Sequence, residues 1–300
     1  MFVGGGTPTL VDPVALGDVL RVVPTVAGAE VTVECNPDDV TAERLDTYLA
    51  GGVNRLSFGV QSTSAHVLQA LGRTHDRANV ERSVDLARAA GFTSFNLDVI
   101  YGGAGESLED WCRTIDDVVA FDPPHVSAYA LTVEAGTPLA ADPTRHPDDD
   151  DQADKYLAAT ERLGSAGYDW YEISNWAKPG HECRHNLLYW TMGEYQGLGC
   201  AAHSHRDGRR FWNLRTPDRY IDAVERGLTV EAADERLDDD ARMLEALQLS
   251  LRTRHGVPLE ALDATGLPGL VEAHRTDPSR LVLTVPGRLL ANEVALRLLT

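Results

Sequence analysis

A chain of 300 residues, 43% hydrophobic and 24% charged, has the proportions of one large barrel or two ordinary domains. It can bury roughly 75% of its unfolded surface, so it needs no disulfide or metal staple to fold. Forty-six acidic residues against 27 basic ones, a net charge of −19, argue against a duplex nucleic-acid binder, whose affinity comes from Lys and Arg on phosphates.

The four cysteines, Cys35, Cys112, Cys183 and Cys200, are too scattered for a disulfide framework, and no pair makes a CxxC. No run approaches the roughly 18 apolar residues of a spanning helix, and the N-terminus lacks the regions of a signal peptide. A cytoplasmic setting is expected.

In chain order, short runs rich in β-branched or aromatic residues read as strands: Phe2-Val3, Val31 to Glu34, Arg55 to Val60, Ser94 to Val99 and His125 to Tyr129. Helices fit between them. Thr41 can cap one carrying Leu45 and Leu49, Asp76 one carrying Val80, Val84 and Ala87, and Ser107 one carrying Trp111, Ile115 and Val118. This alternation predicts βαβ units around a parallel sheet, hence a barrel or partial barrel. The run Asp148 to Asp151 reads as a solvated helix start rather than a metal site, and a further strand is predicted over Tyr171 to Asn175. Residues 176–236 are rich in Trp, His, Gly and Tyr. Beyond 237 the sequence predicts a helix over 240–255, short helical stretches around Pro258 and Pro268, a strand at Leu281 to Val285 and a last helix at 288–299. That order suggests a winged-helix-like module without a basic stripe. The expected domains are therefore 1–175, 176–236 and 237–300.

In a βα barrel the chemistry sits at the C-terminal strand ends. Those ends carry Gly4-Gly5-Gly6-Thr7-Pro8, then Glu34-Cys35-Asn36-Pro37, then Gln61-Ser62 with Arg73 beyond, then Asp98 and Tyr129. Consecutive glycines let backbone approach a ligand. Glu34 can meet an ammonium or hydroxyl, Arg73 a carboxylate, and Gln61 and Asp98 sugar hydroxyls. Singly, each could be a tight turn or a surface ion pair; as a set they suit a ligand with an amino-acid end and a ribose.

These motifs, with Arg55-Leu56-Ser57-Phe58-Gly59-Val60-Gln61-Ser62 and Leu71-Gly72-Arg73-Thr74-His75, resemble the radical S-adenosylmethionine (SAM) family, in its coproporphyrinogen III dehydrogenase-like group. Within it, Cys183, His185-Asn186-Leu187-Leu188-Tyr189-Trp190, Gly197-Leu198-Gly199 and Gly287 to Glu293 resemble the HemW-type haem chaperones. The resemblance implies a partial (β/α)6 TIM-like barrel. It implies SAM against Gly5, Gly6, Thr7, Glu34, Gln61, Arg73 and Asp98, and haem ligated by His185 through an ordinary imidazole–iron bond. The residues leave two other readings of His185 open: a half-buried packing histidine, or zinc held by Cys183, His185, Cys200 and His203, in a spacing unlike a common finger.

The family's CxxxCxxC motif, which binds a [4Fe–4S] cluster, is absent among the four cysteines. The first barrel strand and cluster loop are expected upstream of Met1 in a full-length form. This chain alone is expected to be inactive as a radical enzyme, with an aggregation-prone edge at Phe2-Val3. Tyr101-Gly102-Gly103-Ala104-Gly105 lacks a proline usual in relatives, predicting a slacker loop after Asp98. The resemblance implies a haem chaperone that passes haem to client haemoproteins, with no nucleic acid involved; the alternative is an oxygen-independent coproporphyrinogen III dehydrogenase, an oxidative decarboxylase of porphyrin biosynthesis.

Overall fold

A parallel sheet forms where the short apolar runs lie. β1 (Phe2–Val3) leads to α1 (Pro13–Val22), which is capped by Asp12 accepting the Val14 and Ala15 N–H groups. β2 (Thr32–Cys35), α2 (Ala42–Ala50) and β3 (Arg55–Gln61) follow, then α3 (Ala65–Ala70) and α4 (Arg77–Ala90). β4 (Phe95–Tyr101), α5 (Leu108–Ala120) and β5 (His125–Ala130) complete the regular part. Reciprocal capping boxes start α4 (Asp76 with Asn79) and α5 (Ser107 with Asp110), satisfying donors that helix starts leave unpaired. Gly91 ends α4 at φ +99°, a conformation a side chain would resist.

This is a computed structural model, and it describes residues 1–299. The chain divides into two units, residues 1–185 and a second from Asn186 onward. The first holds a seven-stranded sheet ordered β1-β2-β3-β4-β5-β7-β6, where β6 is Asp169–Glu172 and β7 is Asn175–Ala177, with β1 to β5 parallel throughout. α6 (Asp149–Ser165) begins at the acidic run, Asp148 accepting the Asp151 N–H at 2.9 Å.

Here the structure departs from a simple βα repeat. The run predicted as one strand forms an antiparallel hairpin, β6 (Asp169–Glu172) and β7 (Asn175–Ala177), with β7 antiparallel to β5. The cause is local: the Glu172 carboxylate accepts the Ser174 N–H at 3.1 Å and the Asn175 side-chain amide, closing a turn inside the run.

On β2 to β5, alternate side chains point to opposite faces of the sheet. Val33, Leu56, Phe58, Leu97, Val99, Val126 and Ala128 pack with the buried helix residues Trp111, Ile115, Val118 and Leu163 in one core. The opposite face carries Thr32 and Glu34, Arg55 and Ser57, Asn96 and Asp98, His125 and Ser127. A parallel sheet covered on both faces is usually apolar on both. This polar inner face is what positions the site.

α7 (Arg184–Trp190) begins at the end of the first unit. The second unit contains β8 (His203–Arg206), β9 (Arg209–Asn213), α8 (Pro217–Glu225) and β10 (Glu231–Arg236), with the sheet order β10-β9-β8. α9 (Asp239–Leu251), β11 (Val257–Pro258), β12 (Val271–Ala273) and β13 (Arg280–Leu283) follow, forming a second small sheet ordered β11-β13-β12. Pro258 lies in an edge strand and leads directly into a single 3₁₀ turn, Leu259–Ala261, whereas the chain around Pro268 forms turns and no helix. The predicted closing helix is two short ones, α10 (Val285–Leu289) and α11 (Ala291–Ala295), broken at Leu290, whose φ −109° and ψ 27° leave the helical region.

Candidate functional site

At the C-terminal ends of the parallel strands, the glycine turn after β1 closes on Glu34. The Gly5 N–H donates to Glu34 Oε2 at 3.1 Å. A Cβ on Gly4 would lie 2.6 Å from Phe2 Cε1 and 2.9 Å from Glu34 Cδ, so only glycine lets the carboxylate pack against this backbone. Gly5 and Gly6 have φ +84° and +61°, and both are exposed. Thr7 precedes a single 3₁₀ turn, its carbonyl accepting the Leu10 N–H.

Gln61 shows the clearest mark of a ligand site. The register between β3 and β4 slips between Gly59 and Gln61, a bulge that re-aims the following side chain. Gln61 itself has φ +65°, a costly conformation for a residue with a Cβ. Its Oε1 is buried with no hydrogen-bond partner. Strain and an orphaned acceptor together are what a site built for an absent donor looks like.

Asp98 faces the same interior. Ser57 Oγ donates to its Oδ2 and Asn96 Nδ2 to its Oδ1, each at 2.7 Å. Burial raises the pKa of both Asp98 and Glu34, and the charge of Asp98 raises Glu34 further. Two desolvated carboxylates facing one space favour a cationic or hydroxyl-rich ligand. Tyr129 lies two residues beyond Ser127 on β5, its pKa pushed up to about 12 by burial. Arg73 is exposed, and the two residues that follow it are anchored. His75 Nε2 donates to the Val60 carbonyl at 2.7 Å, and Thr74 Oγ1 donates to Asp38 at 2.7 Å.

The loop after Asp98 is tied down despite its glycines. Gly102 N–H donates to Glu106 Oε2 at 2.7 Å, and the fully buried Lys155 Nζ reaches Glu106 Oε2 at 3.3 Å and Asp151 at 2.6 Å. This ion-pair staple supplies the rigidity for which sequence reading looked to a proline.

His185 sits in the first turn of α7, half-buried. Its ring lies flat on Phe2, centroids 4.5 Å apart and planes within 8°. The Glu30 carboxylate accepts the Arg184 and His185 N–H groups, both at 3.2 Å, and Arg184 Nη1 donates to the Gly28 carbonyl at 2.8 Å. The His185 pKa falls to about 4, mainly by burial, against the pull of Glu30. The imidazole is therefore neutral at pH 7, the form that ligates iron. Sequence reading missed Phe2 as a ring partner, Glu30 as an anchor and Arg55 as a buried charge. Arg55 is 2% exposed, its Nε and Nη2 lack hydrogen-bond partners, and its charge depresses the pKa values of His125, Asp98 and His185. Alternation along β3 could have flagged it as an inward-facing charge.

The first unit thus places Gly5, Gly6, Thr7, Glu34 and Gln61 at or just beyond the C-terminal strand ends, Asp98 midway along β4 on the inner face, Arg73 in the loop after α3, and His185 over β1. The donor set suits a ligand with an ammonium, a carboxylate and ribose hydroxyls. The cysteines are different: among the described residues, no group of three His, Cys, Asp or Glu side chains is placed to hold a metal. Cys35 is buried and its thiol pKa is pushed well up by desolvation. These cysteines do not fit an iron–sulfur cluster, and they are not joined by disulfides.

Comparison with known proteins bears on the fold and the family. The fold is that of a radical SAM protein: the structure of coproporphyrinogen III oxidase (HemN) from Escherichia coli superposes with a TM-score of 0.83, covering 98% of this chain and 76% of that one, at 22% identity. The Radical SAM superfamily profile matches residues 1–118. Heme chaperone HemW of Mycobacterium tuberculosis (strain ATCC 25618 / H37Rv) is 41% identical over 100% of this chain and 80% of its own length. Heme chaperone HemW of Bacillus subtilis (strain 168) is 34% identical over 98% and 83%, and that of Escherichia coli (strain K12) 40% over 82% and 69%. The chain belongs to the HemW group of the radical SAM family. Membership implies SAM and a [4Fe–4S] cluster.

Proposed function

We propose that this protein is a haem chaperone that takes up haem through His185 and passes it to client haemoproteins in the cytoplasm. The observation that carries the reading is His185 itself: a neutral imidazole, backed by Phe2 and fixed by Glu30, at the start of the helix that continues into Asn186 to Trp190. Relatives named heme chaperone at 34–41% identity over nearly the whole chain support it. On this reading residues 1–175 hold SAM, 176–236 carry the haem segment, and 237–300 form a winged-helix-like closing module.

SAM would lie with its ammonium at Glu34 and the Gly5-Gly6-Thr7 backbone, its carboxylate at Arg73 and its ribose at Gln61 and Asp98. When bound, it would supply a cationic ammonium to Glu34 and ribose hydroxyl donors to the buried Asp98. No step is assigned to a cluster, because the cysteines of this chain do not form a site for one. Among the described residues no helix is long and apolar enough to cross a membrane.

The test is a haemin titration of the full chain. A Soret band should develop and saturate, and His185→Ala should remove most of it. Absence of any His185-dependent band overturns the reading, and turnover of coproporphyrinogen once the cluster loop is restored ahead of this chain would favour the dehydrogenase, which draws on the same SAM residues and on likeness of fold alone.

A further inference from the structure

The candidate SAM pocket and the turn that carries His185 are the two ends of one buried hydrogen-bonded chain. The Cys183 N–H donates to the Tyr171 hydroxyl oxygen at 3.3 Å. That hydroxyl lies 2.7 Å from His125 Nε2, His125 Nδ1 lies 2.7 Å from Asn96 Oδ1, and Asn96 Nδ2 lies 2.7 Å from Asp98. Tyr171 and His125 are wholly buried.

The network fixes the direction of every bond. Asn96 Nδ2 faces three oxygens, those of Ser57, Ser127 and Asp98, so its carbonyl oxygen turns to His125 and can only accept. His125 Nδ1 must then carry the proton, which leaves Nε2 bare to accept from the Tyr171 O–H. The Tyr171 oxygen in turn has lone pairs only for the Cys183 N–H. Burial holds His125 neutral, its pKa well below the ordinary value, and neutral is the one form that supports this order. A uniform hydrogen-bond direction across four side chains leaves no alternative arrangement at equal energy, so the turn is held in one place.

Three successive N–H groups at the start of α7 thus have side-chain acceptors: Cys183 has Tyr171, while Arg184 and His185 have Glu30. Glu30 fixes the turn from the edge of the sheet, and Tyr171 fixes it from the interior. We propose that Tyr171, oriented by His125, is a positioning residue of the haem site: it sets where the turn stands over the sheet and thereby how His185 meets the iron. This rests on the haem-chaperone reading and names residues of the same site.

The experiment is haemin titration of the full chain, read by Soret position and dissociation constant beside the urea midpoint. The proteins compared are wild type, Tyr171→Phe, His125→Gln, Tyr168→Phe and His185→Ala. Tyr171→Phe deletes one oxygen and keeps the ring. It is expected to shift the Soret maximum and weaken haem binding about tenfold, the size of one lost buried hydrogen bond. His125→Gln, which keeps an acceptor near Tyr171 with a different reach, gives a smaller shift of the same kind. Tyr168→Phe is the control: its buried hydroxyl donates to the Pro123 carbonyl at 2.6 Å, outside the chain, so it lowers the urea midpoint and leaves Soret and affinity alone. If Tyr171→Phe behaves like Tyr168→Phe while His185→Ala abolishes the band, this proposal is overturned and the haem reading stands. If wild type shows no His185-dependent band, both fall.

Discussion

The imidazole of His185 and the ring of Phe2 are stacked at 4.5 Å and within 8° of parallel, so a residue of the first strand sets the plane of a histidine at the far end of the same unit. A stacked aromatic pair contributes roughly 0.5–1.5 kcal/mol beyond its buried area. Phe2→Ala frees the imidazole to rotate, and the haem dissociation constant should rise about two- to tenfold on that account. The check is the same haemin titration, with Phe2→Leu, which keeps bulk without the π face, falling between the two. An unchanged constant in Phe2→Ala would show the stack to be packing alone.

The buried Lys155 is held by Glu106 and Asp151 beneath the Gly102 loop. Lys155→Met leaves the Glu106 carboxylate buried without its cation, a loss of about 3–5 kcal/mol. The double replacement Lys155→Met with Glu106→Gln should recover part of that. Urea denaturation of the two variants against wild type measures both, and equal stability of all three would contradict the assignment.

Gln61 trades stability for a ligand. Gln61→Gly removes the left-handed strain and the orphaned carbonyl oxygen, and should raise unfolding stability by about 1 kcal/mol. The same change should weaken binding of SAM or S-adenosylhomocysteine in calorimetry. A variant that is both less stable and unaltered in binding would refute the reading of Gln61 as a ligand contact.

His125 makes stability depend on pH in a definite direction. Its folded pKa is depressed well below the ordinary imidazole value of about 6.5, so at neutral pH neither state is protonated there. As pH falls below 6.5, the unfolded chain takes up a proton that the folded one refuses, and stability is lost. From pH 7.5 to pH 5 this amounts to about 2 kcal/mol. The raised pKa values of Asp98, Glu34 and Glu106 act with the opposite sign, favouring the folded state as acid is added. The informative quantity is therefore the difference between wild type and His125→Gln across that range in urea midpoints. Parallel curves would mean that His125 titrates normally.

The sequence by itself determined the elements and most of the pocket. Strands announced themselves by short apolar runs, and helices by caps such as Asp76 with Asn79 and Ser107 with Asp110, because capping and alternation are contacts between residues three or four apart or fewer. Gly5, Gly6, Glu34 and Gln61 were readable because each stands at or just beyond the end of its strand, and Asp98 because it is the one carboxylate of the fourth apolar run. Only the tertiary structure decided which face of each strand turned inward, and so made Arg55, Asn96 and His125 interior. It also decided that Glu30 would hold residues 153 to 155 positions away, and that Tyr171 would meet His125 across 46. Such contacts leave no local trace. Closing a long loop costs entropy that grows only slowly with its length, so nothing in the spacing selects one distant partner over another until the sheet has formed and brought them together.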